Sequence, residues 1–272
     1  MSNQDRNENQ EDSIQSTNRN ISRIDTEAGI EYALQRAIDP PSDTDDEATK
    51  QLKMEAIARQ RVERERFLKR YQVAILGYLG VYLRDADAVS EVWDKFVDKW
   101  LDGKLRGYDP NKSFRLYLKE ILRNDVYSHW RTKGNERKLG NVRLDTNYEQ
   151  EDHLDRTASE VFDRNLGDEI LEKALEALIP GHPNHQVLTF LKNAAIEGNT
   201  KPGYDDLSSL LQKSPEATRQ IVHRARKEYA KQIIEQVIEL IKIRDPKLIR
   251  ESLIELNLLP YCQKALDEMQ ES

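Results

Sequence analysis

An all-α fold is predicted for this chain of 272 residues, and three features predict it. Apolar residues recur three and four apart through most of the length, the spacing that gathers them on one side of a helix. Glycine and proline are sparse while charged residues make up 33%, a composition of helices rather than of turn-rich sandwiches. No stretch carries the alternation of a half-buried strand convincingly.

Taken in order, Met1 to about Arg23 is polar and has little to bury, so disorder is expected there. A short helix is expected at TEAGIEYALQRAI, where Thr26 can cap and Ile30, Leu34 and Ile38 share a face. The paired prolines of DPPSDTDDE end it. From Glu47 to Arg84 one long helix is expected, charged at first and then apolar, bringing Phe67, Tyr71, Ile75, Tyr78 and Tyr82 into a core. DADAVSEVWDKFVDKWL follows, with Val89, Val92, Trp93, Phe96 and Trp100 at helical spacing and Asp87, Glu91, Asp94 and Asp98 opposite. Gly103, Gly107 and Pro110 break the pattern. In SFRLYLKEILRNDVYSHWRTK, Phe114, Leu118, Ile121, Leu122, Val126 and Trp130 fall on or near one stripe, and Arg115, Lys119, Arg123, Arg131 and Lys133 form the polar face.

From Leu144 the charge reverses: LDTNYEQEDHLDRTASE is acidic and weakly periodic, and reads as a linker. A second helical domain is expected from Asp168, beginning with DEILEKALEALIP and HQVLTFLKNAAIEG. YDDLSSLLQ, a turn at KSPE and a long helix from Ala217 complete it. The expected organisation is a largely disordered acidic segment over 1–46, domains over 47–139 and 168–234 joined by an acidic linker over 140–167, and a helical extension over 235–272. In the extension Asp245 can cap a restarted helix with Pro246 in its first turn. Its Ile238, Ile241, Leu248, Leu253, Leu256 and Leu258 are expected to fold back on the second domain, docking to a regulator being the other reading.

The net charge is −7, yet Lys213, Arg219, Arg224, Arg226, Lys227 and Lys231 crowd one segment that holds only Glu216 and Glu228. A short helix, a tight turn and a longer helix form the helix-turn-helix arrangement, whose second helix can enter the DNA major groove. Leu207, Leu210 and Leu211 supply the first helix's inner face, Ser214 can cap the second, and Pro215 suits its first turn. Thr218, Val222, Ala225, Tyr229 and Ile233 step inward, leaving Arg219, Gln220, His223, Arg224, Arg226, Lys227 and Lys231 outward as upstream DNA contacts. Arg can pair with guanine edges and Gln with adenine, while Lys holds phosphates. A solvated basic face is the plain alternative.

The other basic segment, Arg115 to Lys138, interleaves charge with Phe114, Tyr117, Tyr127, His129 and Trp130. Single-strand platforms need that mixture, charge for phosphates and ring faces for unpaired bases. Phe114 and Trp130 also suit a core; Tyr127 and His129 fit the apolar stripe less well and are the better candidates for base contact.

In this order the segments resemble a bacterial RNA polymerase sigma factor of the extracytoplasmic-function type. DADAVSEVWDKFVDKWL resembles the family's polymerase-clamp helix, SFRLYLKEILRNDVYSHWR its minus-ten helix, and YDDLSSLLQKSPEATRQIVHRARKEYAKQI its minus-thirty-five module, including His223 to Arg226. The resemblance covers roughly Phe67 to Lys138 and Asp168 to Ile234. It implies a three-helix region 2-like domain and a region 4-like helix-turn-helix domain. It also implies a polymerase-docking surface at Asp87, Glu91, Val92, Trp93 and Asp94. Minus-ten contacts fall at Arg115, Lys119, Arg123, Tyr127, His129, Trp130 and Arg131, and the loop from Gly103 to Ser113 sits where the family holds a flipped base. The implied partners are core RNA polymerase, promoter DNA both paired and melted, and an anti-sigma factor as a further candidate. The chain departs from the family at Ile221, often basic there, and at Thr218, usually apolar.

A P-loop, an HExxH pair, a nucleophile elbow and paired metal-ligand cysteines are absent, so catalysis is assigned to a partner, with no cofactor and no metal expected. His182 and His185 in GHPNH read as a loop at a helix end. The longest apolar runs, such as Val73 to Leu83, fall short of the roughly 20 residues that span a bilayer. With no secretory pattern at Met1 and a lone Cys262, a cytoplasmic location without membrane partners is expected. Two other functions stay open: a stand-alone helix-turn-helix regulator, and a helical interaction or sequestering protein whose basic faces are merely solvated.

Overall fold

In the computed structural model of the chain, which describes residues 40–105, 113–138, 148–198, 202–241 and 244–270, helix formation starts where a carboxylate stands in for a missing backbone partner. Asp46 Oδ1 accepts the Thr49 N–H at 2.6 Å and opens α1, Glu47–Leu83. Its buried residues follow a step of three or four, from Ala56 and Gln60 through Arg64, Phe67, Tyr71, Ile75 and Tyr78 to Tyr82. Arg84, in the left-handed region at φ 52°, ends it by donating its N–H to Gly80 O. Asp85 then caps α2, Ala86–Leu101, which buries Val92, Phe96 and Trp100. Helix α3, Phe114–Lys138, buries Phe114, Leu118, Leu122 and Val126. The expected helix around Thr26 lies outside the described residues, as do residues 106–112 of the loop after α2.

The chain divides into two units at Phe162/Asp163. In the first, the Phe67 ring stacks on Tyr71 and Trp100 with centroids 4.3 and 4.0 Å away and meets Phe114 edge-on at 5.6 Å. Trp100 Nε1 donates to Arg64 O at 3.1 Å, and Arg64 Nη1 donates to Leu101 O at 2.7 Å. Gly103, at φ 66°, lets this guanidinium lie against the chain where a Cβ would collide with it. Burial holds the Arg64 guanidinium's pKa below its ordinary value.

The expected acidic linker differs most. Residues Tyr148–Glu176 form one helix, α4, and inside its acidic sequence Ala158, Phe162, Leu166 and Ile170 recur every fourth residue and are all buried. Phe162 packs on Tyr71 and Tyr78, so among the described residues α4 joins α1, α2 and α3 in the first unit, where a three-helix bundle was expected.

In the second unit His182 caps α5, Pro183–Ile196, its Nδ1 accepting the Asn184 N–H at 3.2 Å with Pro183 in the first turn. Helix α6, Tyr204–Leu211, opens with the Asp206 carboxylate reaching back to the Gly203 N–H at 3.1 Å. Gln212 turns the chain at φ 52°, and after Lys213 the Ser214 hydroxyl accepts the Ala217 N–H at 3.3 Å to start α7, Pro215–Ile241. Leu175, Leu178, Val187, Leu188 and Leu207 close over Ile221, Val222 and Ala225.

As expected, Asp245 caps the next helix: its Oδ1 accepts the N–H groups of Lys247 and Leu248 at 2.8 and 3.1 Å, opening α8, Pro246–Glu255. Helix α9, Leu259–Gln270, follows, and both pack on α7. Leu253, Leu256, Leu258, Cys262 and Leu266 are buried, so the extension folds back on the second unit, although Leu248 stays exposed. Gly167 on α4 lies so close to the turn after α8 that a Cβ would be 2.9 Å from Leu256 O. Among the described residues no strand occurs and no helix is long and apolar enough to cross a membrane.

Candidate nucleic-acid interface

Helix α7 separates its two kinds of side chain around its axis. Thr218, Val222, Ala225 and Ile233 are buried as expected, and Tyr229, half-buried, donates its hydroxyl to Leu171 O at 3.0 Å. Arg219, Gln220, His223, Arg224, Arg226, Lys227 and Lys231 are all exposed. At 3.6 residues per turn they occupy an arc of about 160°. The two departures noted in the sequence have structural reasons. Ile221 is core, and the fully buried Thr218 accepts a hydrogen bond from Ser208 Oγ at 3.1 Å, fixing α6 to α7 beside the turn.

The arc is not uniformly open. The Arg219 guanidinium lies 5.8 Å from the Tyr204 ring centroid and 3.8 Å from Glu216, tying the start of α7 to the start of α6. Further along, Lys227 Nζ meets Glu268 of α9 at 2.8 Å. Neither Tyr204 nor Glu268 was anticipated. No local pattern marks Glu268, whose role depends on where α9 docks.

On α3 the basic residues do not all face outward. Arg115 and Lys119 were expected to face DNA and are buried. Lys119 Nζ donates to Ser159 Oγ at 2.8 Å and stands 5.2 Å from the centroid of the Phe162 ring, while Arg123 Nη1 donates to Asp155 Oδ2 at 3.1 Å. Asp155 also accepts the Tyr82 hydroxyl. This bond from Arg123 to Asp155 raises the guanidinium's pKa further. The cause is α4: the first part of this basic face serves a helix-helix contact within the first unit. His129 is also buried, 3.7 Å from Glu91, rather than presented to bases.

What remains at the end of α3 is a smaller surface of rings and charge. Tyr127 and Trp130 are half-buried with centroids 5.6 Å apart, and Arg131 is exposed, its Nε donating to Tyr127 O at 3.4 Å. Trp130 sets its edge against Tyr82. The side chains of Arg137 and Lys138 lie outside the described residues.

Helix α2 shows a similar partition. Asp87 and Asp94 are exposed and Trp93 is half-buried, whereas Val92, expected on the docking surface, is core at 1% exposure. Val92 shares the inward step with Phe96 and Trp100, which decides its place. Glu91 bonds Lys95 at 2.7 Å and lies 3.7 Å from Lys133; that bond, then the charges of Lys95, Lys133 and His129, hold its carboxyl below the usual range. Of the expected base-holding loop, Gly103 to Leu105 and Ser113 are described.

No protein-family model matches the chain, and neither the curated proteins nor the solved structures compared with it include a match.

Proposed function

We propose that this chain is a promoter-specificity subunit of bacterial RNA polymerase, a sigma factor of the extracytoplasmic-function type. The observation that carries the reading is the seven-residue arc on α7, held outward by a three-residue turn after α6. Its N-terminal part offers Arg219, Gln220, His223 and Arg224 toward base edges, as the second helix of such a motif does, with Arg226, Lys227 and Lys231 set to hold phosphates. Tyr127, Trp130 and Arg131 form the surface for the melted strand, stacking bases and following phosphates. Asp87, Trp93 and Asp94 on α2 dock on the polymerase clamp. The chemistry of transcription belongs to the polymerase, and a subunit of this kind works in the cytoplasm.

The net charge of −7 weakens loose DNA binding by the free chain and leaves a residual, salt-sensitive affinity through α7 that is measurable at low salt. Polymerase association then brings the basic surfaces to a promoter. A pull-down with core RNA polymerase followed by run-off transcription tests the reading. Retention on the polymerase together with promoter-dependent transcripts is the expected result. Tight operator binding without polymerase would instead indicate a stand-alone regulator, and polymerase binding without transcripts a sequestering protein.

A further inference from the structure

The exposed arc of α7 is flanked by another helix toward its end. Ala230 and Ile234 lie on the side of α7 that carries Lys227, yet both are buried. Helix α9 occupies that side: Cys262 donates its Sγ–H to Ala230 O at 3.7 Å. One turn and a half further along α9, Glu268 bonds Lys227 Nζ at 2.8 Å. The bond from Lys227, then the charges of Lys227, Lys264 and Lys231, hold the Glu268 carboxyl below the usual range. The Lys227 ammonium is therefore held by a carboxylate of α9 at the edge of the surface assigned to DNA. Lys227 and Glu268 are about half exposed, so a polyanion can reach both.

We infer that Glu268 withholds Lys227 from the DNA backbone, so that α9 sets how many phosphates the reading helix can engage. This rests on the assignment of α7 to duplex DNA. A phosphate brought against Lys227 must displace the Glu268 carboxylate or share the ammonium with it, and an approaching duplex meets a negative charge at that point. The cost falls on every sequence alike, because Lys227 acts on the backbone rather than on base edges. The extension therefore lowers indiscriminate affinity and leaves base reading to the start of α7.

The test uses the full chain at low salt with a fluorescently labelled random-sequence duplex, comparing wild type, Glu268→Gln, Lys227→Ala/Glu268→Gln and Arg226→Ala, a residue assigned to phosphates. Glu268→Gln is expected to bind more tightly and to steepen the dependence of log K on log salt by about 0.9, one phosphate's worth. A fourfold rise in salt then weakens this variant about 3.5-fold more than wild type. The double variant is expected to lose that gain. If Arg226→Ala weakens binding while Glu268→Gln leaves the slope unchanged, the inference about Glu268 falls and the DNA assignment stands. If the gain survives in the double variant, Lys227 is not the residue withheld and the inference also falls. If neither wild type nor Glu268→Gln binds, or if Arg226→Ala has no effect, both the inference and the assignment of α7 fail.

Discussion

Replacing Phe162 with Ala tests whether the acidic stretch after α3 is part of the first unit's core. The ring is fully buried, with centroids 6.3 and 6.2 Å from those of Tyr71 and Tyr78, and Lys119 stands over it. Truncating such a ring costs about 3–5 kcal/mol, a large fraction of the roughly 5–15 kcal/mol that holds a domain folded. With a denaturant slope of about 2 kcal/mol per M in urea, a loss of about 4 kcal/mol lowers the unfolding midpoint by about 2 M. All three tryptophans, Trp93, Trp100 and Trp130, belong to the first unit, so their fluorescence reports that unit's unfolding directly. A midpoint shift below about 0.5 M would mean that Phe162 is not part of this core, since a side chain on a mere linker would leave the tryptophans' surroundings intact.

Three other outcomes are expected. Burial pushes the Cys262 thiol pKa up to about 12, so iodoacetamide should label the chain in urea and leave the native protein unlabelled at neutral pH; rapid native labelling would contradict this burial. Desolvation raises the pKa values of Tyr78 and Tyr82 above the usual 10, so the neutral phenols' contribution is intact below pH 10 and is lost as pH rises beyond it. The urea midpoint followed by tryptophan fluorescence should fall above pH 10, less steeply in Tyr82→Phe, and an equally steep fall in that variant would exclude Tyr82 as a source. Deleting Asp245 to Ser272 removes α8 and α9 from the face of α7 on which they pack, and each apolar side chain so uncovered forfeits about 1.5–3 kcal/mol of burial. The second unit should then become open to limited proteolysis, whereas an unchanged fragment pattern would revive the extension as a dock for a regulator.

The parts legible in the sequence were those fixed by neighbours in the chain. Ser214 and Pro215 announced the start of α7, Asp245 and Pro246 the start of α8, and the three- and four-residue steps of α1 and α7 gave their buried faces. The parts that were not legible depend on docking. Arg115, Lys119 and Arg123 form a basic stripe in the sequence whether water, DNA or another helix covers it, because long side chains can bury their stems and still reach a polar partner. Ser159 and Asp155 supply those partners for Lys119 and Arg123 from a segment whose charge masked the spacing of Ala158, Phe162 and Leu166. That four-residue step was the available signal for α4. Val92 was assigned both to the helix's apolar side and to its docking surface, and packing kept it in the core.

The reading of paired upstream DNA by α7 is tested most directly by run-off transcription with reconstituted polymerase on promoters whose upstream element is varied base by base. Wild type and the Arg224→Ala variant are compared on the same templates. Arg224→Ala is expected to lose transcription selectively, flattening the preference at one base pair while other positions keep theirs, with good bidentate contacts worth about 1–3 kcal/mol of discrimination. Equal transcription by both proteins on every template, or none above core polymerase alone, would contradict it.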